Sequence, residues 1–137
     1  MTKPSVDRIL LRHAFDWSSE SKCRRLQVGA VLASEGRSIA TGYNGTPRGL
    51  PACLCGPESR CESAVHAELN ALLYAGRLGV RTVGTTLYCT HNPCVGCSGA
   101  IINAGVVRVV YAQPYRDLSG LTMLEQAGIE VENLIDY

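Results

Sequence analysis

His66-Ala67-Glu68 and Asn92-Pro93-Cys94-Val95-Gly96-Cys97 are the stretches from which the rest of the chain can be read. Together they offer one imidazole, two thiols and one free carboxylate. Zinc in its catalytic form takes three protein ligands and leaves one position for water. His66, Cys94 and Cys97 match that form in type and number. Glu68 is then left over, close to a ligand, to move protons. Alone, a His-x-Glu carries almost no information, and a Cys-x-x-Cys fits a redox pair or half of a closed structural zinc site equally well. The two halves in this order, each at a helix start, favour the catalytic arrangement.

The surrounding pattern supports that placement. Val65, Leu69, Leu72, Leu73 and Leu78 predict an amphipathic helix over 64–78, capped by Ser63, with His66 in its first turn. Asn92-Pro93 reads as the N-cap and first position of a second helix that ends near Gly105. Cys94 and Cys97, three apart, would share one face of it. Two helix N-termini would then meet at the metal, and their partial positive charge favours thiolates.

Working outward, 137 residues suit a single domain over 1–137 with one core. At 46% hydrophobic and 18% charged residues, the composition is that of an ordinary soluble protein. A formal charge of +1 argues against a broad polyanion-binding surface, so nucleic acid is not an expected partner. No apolar signal segment follows Met1-Thr2-Lys3-Pro4 and no run approaches membrane-spanning length, so the expectation is a cytoplasmic protein without membrane contact. Seven cysteines, an odd number, read as metal ligands and core residues rather than disulfides in a reducing compartment.

A first helix is expected over 5–17, with Val6, Ile9, Leu10, Ala14 and Trp17 inward and His13 flanking them, as a ligand or as a structural histidine. The connector Ser21-Lys22-Cys23-Arg24-Arg25 is either a solvated loop or a phosphate clamp, since the planar fork of arginine suits phosphate oxygens. Strands are expected at 27–33 and 38–42, joined by a turn at 34–37. Gly42-Tyr43-Asn44-Gly45-Thr46-Pro47-Arg48-Gly49 then marks an irregular loop able to present the Asn44 amide to a ligand. Cys53, Cys55 and Cys61, with Cys23, form either a second, structural zinc site or a set of unrelated buried thiols; Cys-x-Cys in a polar loop favours the zinc. Strands follow at 85–90 and 106–111, a helix at 118–127 with Leu118, Leu121, Leu124 and Ala127 inward, and a short strand at 129–131. This order predicts an α/β fold of three layers, α-β-α, around a five-stranded mixed sheet whose last two strands are parallel and joined right-handed.

The chain resembles a known family. His-x-Glu followed by Pro-Cys-x-x-Cys is the signature pattern of zinc nucleobase deaminases. Ser21-Lys22-Cys23, Val28-Gly29-Ala30-Val31, the Gly42–Gly49 segment, His66-Ala67-Glu68-Leu69-Asn70-Ala71 and Pro93–Cys97 with Ile101-Ile102-Asn103-Ala104-Gly105 resemble the deoxycytidylate (dCMP) deaminases of the cytidine-deaminase-like fold. The resemblance runs from about Ser21 to Tyr115. It implies substrate contacts at Arg25, Asn44, Ala67 and Tyr115. It implies activation by dCTP with Mg²⁺ and inhibition by dTTP, with effector contacts or coupling at Tyr43, Asn44, Gly45, Tyr74 and Arg77. It further implies a homohexamer and a second zinc on cysteines such as Cys23, Cys53 and Cys61. The Gly49–His66 loop is shorter here than in some members.

The implied reaction is hydrolysis of dCMP to dUMP and ammonia, a step in dTTP supply. Zinc lowers the pKa of a bound water from about 15.7 towards 7. Glu68 would take the water proton, pass it to the ring nitrogen, and later protonate the departing ammonia. The Ala67 backbone and the Cys94 helix start can hold the base. Two readings compete: a deaminase of another cytosine substrate (5-modified dCMP, a free nucleoside, or single-stranded nucleic acid), and a non-catalytic zinc-stabilised assembly subunit. One Trp and one Phe disfavour a strand-stacking surface, and the spare Glu68 disfavours the subunit.

Overall fold

The computed structural model describes residues 4–52, 63–115 and 117–135. Helix α1 (Pro4–Ser18) precedes a hairpin of β1 (Gly29–Ser34) and β2 (Arg37–Tyr43). Helix α2 (Ala67–Leu78), β3 (Thr86–His91), α3 (Val95–Asn103), β4 (Arg108–Gln113), α4 (Ser119–Gln126) and β5 (Glu130–Asn133) follow. The five strands form one mixed sheet in the order β2-β1-β3-β4-β5. β1 is antiparallel to both β2 and β3, whereas β3, β4 and β5 are parallel. The hairpin turns on Glu35 and Gly36, both at positive φ, which is the backbone a tight two-residue hairpin turn demands.

Both faces of the sheet are covered, so consecutive residues in the middle of β1, β3 and β4 are buried, not alternate ones. Leu10, Leu11 and Ala14 of α1 pack on Val31, Tyr88 and Val110. On the other face Ala71, Leu72, Ile101, Leu121 and Leu124 pack on Ala30, Leu32, Leu87 and Val109. The three layers are therefore those expected. Among the described residues, no helix is long and apolar enough to cross a membrane.

Several boundaries and faces differ from expectation. In α1, Leu11 is buried and Ile9 is 62% exposed. In α2 the inward face is Ala67, Ala71, Leu72 and Ala75, while Leu73 and Leu78 point outward. Small residues face the sheet because α2 lies very close to it: a Cβ on Gly42 would stand 2.4 Å from the Ala67 oxygen. Helix α2 begins at Ala67 and not at 64, because Val65 stays extended and exchanges two backbone hydrogen bonds with Gly45. Leu118 and Ala127 are likewise exposed, and Gly120 takes the close contact in α4. Residues 27 and 28 are not in the strand. The Asn44 side chain serves there as a substitute strand, its Oδ1 accepting from the Val28 N–H and its Nδ2 donating to the Leu26 oxygen.

One buried ion pair fastens the α1 layer. Asp7 accepts both Arg108 guanidinium bonds at 2.9 Å and the Tyr88 hydroxyl at 2.6 Å. Burial pushes the Asp7 carboxyl up, but the Arg108 and Tyr88 bonds outweigh it and the net displacement is downward. A carboxyl depressed in the folded state contributes stability above its unfolded pKa of about 3.9, and that stability is lost as pH falls through the lower folded value. Asp7→Ala should therefore destabilise the fold by about 2 kcal/mol at neutral pH, because Arg108 and Tyr88 lose a buried charged partner, while Arg108 keeps Glu130 at 2.6 Å and Glu132 at 3.2 Å. Denaturant titrations of both proteins should show this difference shrinking below about pH 4. A difference independent of pH would mean that the pair is not what holds α1.

Candidate metal centre and its cavity

The segments 22–28, 44–46, 92–94 and 114–115 all lie at one end of the sheet, where β2, β3 and β4 end and β1 begins. Two helix starts meet there. His66 is the N-cap of α2, in extended conformation, and its side chain makes no cap. Cys94, not Asn92, is the N-cap of α3, and its sulfur accepts the Cys97 N–H at 3.4 Å. Pro93 thus precedes the cap instead of opening the helix. A methyl on Gly120 would stand 2.3 Å from the Pro93 oxygen and 2.9 Å from the Cys94 carbonyl carbon, so α4 rests directly on this helix start.

The His66 Nδ1 lies 3.4 Å from the Cys94 sulfur and 3.4 Å from the Cys97 sulfur. All three donor atoms fall within 4.8 Å of one another. Tetrahedral zinc with ordinary Zn–N and Zn–S lengths sets a nitrogen–sulfur edge of about 3.6 Å. The donor set fits zinc in chemistry and in spacing. Among the described residues, no other group of three or more His, Cys, Asp or Glu side chains is so arranged.

Glu68, 4% exposed, stands in the first turn of α2. Burial pushes its carboxyl up to about 7; its own backbone N–H and His66 pull it down, and Cys94 pushes it up again. The Cys94 thiol is pushed down to about 3, first by the Cys97 thiol and then by His66. Cys97 is displaced upward by the Cys94 sulfur and by burial. A dication bound here would deprotonate both thiols and draw Glu68 back down. Cys89, fully buried and raised by burial and by Glu68, is plain core.

His66, Glu68 and Cys94 line a cavity of about 370 Å³. Its other walls include Arg25, Asn44, Ala67 and Tyr115, all four named as substrate contacts from sequence. Arg25 donates to the Tyr115 hydroxyl at 2.9 Å across two loops. The Asn44 amide has one donor and its acceptor engaged with backbone. Cys23 lies on the same wall. Cys53, Cys55 and Cys61 lie outside the described residues. His91, Asn92 and Asp117 also line the cavity and were not singled out from sequence; the turn-forming Asn-Pro pair hid Asn92 behind a capping role. His13 is on α1 and accepts the Trp17 indole N–H at 3.2 Å. Tyr43, Gly45, Tyr74 and Arg77 line a separate cavity of about 570 Å³, with Trp17 and Arg48.

Residues 4–113 match the family described as cytidine and deoxycytidylate deaminase zinc-binding region. The chain belongs to this deaminase family. It is 42% identical to deoxycytidylate deaminase of Saccharomyces cerevisiae over 96% of its own length and 45% of that protein. It is 40% identical to ComE operon protein 2 of Bacillus subtilis, over 83% of its own length and 63% of that protein. The chain thus spans about half the length of the first curated relatives it matches. Among solved structures, dCMP deaminase from cyanophage S-TIM5 in complex with dCMP and dUMP superimposes with a TM-score of 0.93 at 37% identity, covering 98% of this chain and all of that one. The five-stranded sheet with β3, β4 and β5 parallel is the fold of that family.

The deaminase-family chain should bind zinc through these three donors. Chelation at neutral pH should lower its melting temperature, and Zn²⁺ but not Mg²⁺ should restore it. Cys97→Ser should weaken zinc binding at least about 100-fold, or about 2.8 kcal/mol, in a competition titration. A Cys97→Ser protein that holds zinc as tightly as its parent would remove Cys97 from the ligand set.

Proposed function

We propose that the protein hydrolyses dCMP to dUMP and ammonia. The observation that carries this reading is the placement of a buried carboxyl, Glu68, beside three zinc-type donors in a cavity that also holds an arginine. Bound at His66, Cys94 and Cys97, a zinc ion supplies the Lewis acidity that makes water nucleophilic near neutral pH. Glu68 accepts the proton of the attacking water and delivers it to the ring nitrogen of cytosine. It then takes the remaining proton from the hydroxyl added at C4 and gives it to the amino group, so that the C4–N bond breaks as the C4 carbonyl forms and ammonia leaves. Glu68 is buried beside the donors and is not one of them, so its carboxyl is free to serve in both directions. Arg25, with Tyr115 against it, offers a cationic fork for the 5′-phosphate. Ala67 and Asn44 line the same cavity and are assigned to the base and the sugar.

Arg25 is the one arginine on the described cavity wall, and no lysine joins it, which suits one phosphate better than a polynucleotide backbone. Ammonia release should therefore be fastest with dCMP, when it is compared with CMP, deoxycytidine and a short single-stranded oligonucleotide. Glu68→Ala should keep its zinc and lose about a thousandfold in turnover. Turnover near the parental rate in that variant would sink the proton-transfer assignment.

A second reading concerns regulation, and the second cavity favours it. Tyr43, Gly45, Tyr74 and Arg77, the effector or coupling positions of the resemblance, share that cavity with Arg48. The Arg77 guanidinium sits over the Tyr74 ring, 5.8 Å from its centroid. We assign this cavity to a nucleoside triphosphate such as dCTP with Mg²⁺, opposed by dTTP, in a cytoplasmic homohexamer like those of the resemblance. Initial-rate assays should show dCTP raising dCMP turnover in the parent, and about tenfold more dCTP needed in Arg77→Ala, as one lost charge-assisted hydrogen bond predicts. An identical dCTP response in both proteins would remove Arg77 from the effector site.

A further inference from the structure

We propose that Asn92 is a positioning residue that sets the phosphate-facing wall of the cavity; this rests on the assignment of Arg25 and Tyr115 to the nucleotide phosphate. Asn92 lies between β3 and α3 and is 7% exposed. Its carboxamide spans the gap to the segment that follows β4. The Oδ1 accepts the Tyr115 backbone N–H, and the Nδ2 donates to the Asp117 oxygen at 2.9 Å. Both bonds go to backbone, so Asn92 fixes the path of the chain that carries Tyr115. The Tyr115 hydroxyl in turn accepts from Arg25 at 2.9 Å, and the His91 ring packs edge-on against the Tyr115 ring.

The anchor point is rigid. Pro93 and Cys94 follow Asn92 directly, and α4 is pressed against both through Gly120. Arg25, by contrast, sits outside any helix or strand. A long cationic side chain on such a loop has rotamer entropy to lose when it is held in one place. Tyr115 takes part of that loss before a ligand arrives, provided Tyr115 itself is held. Asn92 therefore acts at one remove, on the order of the phosphate wall and not on the reacting atoms.

The test compares zinc-loaded parent and Asn92→Ala in two measurements: steady-state turnover of dCMP and calorimetric binding of dUMP. The expected result is a rise of about tenfold in KM and in the dUMP dissociation constant, the size of one net hydrogen bond, with kcat and zinc content unchanged. In an Arg25→Ala background the same substitution should add less than about twofold, since coupled residues are not additive. A general structural role would lower kcat and zinc content together with affinity, and that result, or full additivity with Arg25→Ala, overturns the proposal. If Asn92→Ala does not fold, Asn92→Gln keeps an uncharged amide but displaces it from its partners at Tyr115 and Asp117. It should then show a smaller rise in the dUMP dissociation constant, and no rise overturns the proposal. A parent that binds dUMP without deaminating dCMP would sink the proposed reaction and leave Asn92 to be judged by binding alone; a parent that binds no dUMP sinks both.

Discussion

Two helices can bring their first residues to one point only if nothing stands between them and the sheet. That constraint is met at two glycines. Gly42 of β2 lets α2 lie so close that a methyl there would overlap the Ala67 oxygen and the Ala71 nitrogen. Gly120 of α4 does the same for the Pro93 and Cys94 backbone at the start of α3. The inward face of α2 follows the same logic, with Ala67, Ala71 and Ala75 fully buried beside Leu72. Close packing of small residues is stiff, because there are few voids and few rotamers to exchange. The three donors inherit that stiffness, since His66 and Cys94 are the residues at which the two helices begin.

The electrostatics of the site show what such convergence costs. A carboxyl at 4% exposure stands near two sulfurs, and each negative group raises the proton affinity of another. Buried like charges are unfavourable unless something of opposite sign is brought among them. His66 supplies part of that, and the start of α3 supplies the Cys97 N–H to the Cys94 sulfur. A dication at the donors offsets the remainder, so metal binding and folding of this edge are linked. Glu68 adds no ligand to that balance. Its burial is a standing cost to stability, of the kind that active sites carry and structural zinc sites avoid.

The layers, the mixed sheet and the donor set were legible in the sequence because each leaves a local mark: apolar runs, turn residues, and His and Cys at fixed spacing. What escaped was set by packing. Leu73 and Leu78 looked inward by hydrophobicity, yet the sheet lies too close to α2 for large side chains on that face. Ser63 and Asn92 looked like caps by residue type, yet Val65 is held extended by Gly45, and the Cys94 sulfur does the capping at α3. The partner of Asn92 is twenty-odd residues away on another strand connection, and no spacing rule reaches that far. Arg25 was read as part of a possible phosphate clamp and as a substrate contact through the resemblance, Tyr115 through the resemblance alone. Their contact spans 90 residues of sequence, so only the fold could join them.

The two cavities are related by the simplest property of extended chain, its alternation of side chains with a period of two. Asn44 lines the first cavity, and its neighbours Tyr43 and Gly45 line the second. Across the Gly45–Val65 bridge the pattern repeats: Val65 lines the second cavity and His66 the first. One short paired stretch of backbone therefore forms a wall common to both. Its stiffness comes from two backbone bonds, from Asn70 donating to the Tyr43 oxygen at 2.8 Å, and from the Trp17 ring stacked on Tyr43. A ligand in the second cavity that displaces the backbone at Tyr43 or Val65 has only one residue to cross to reach Asn44 or His66, along chain held by paired hydrogen bonds. The effector reading thus needs no long route through the core: the wall between the cavities is a single layer of chain, and a metal ligand is part of it.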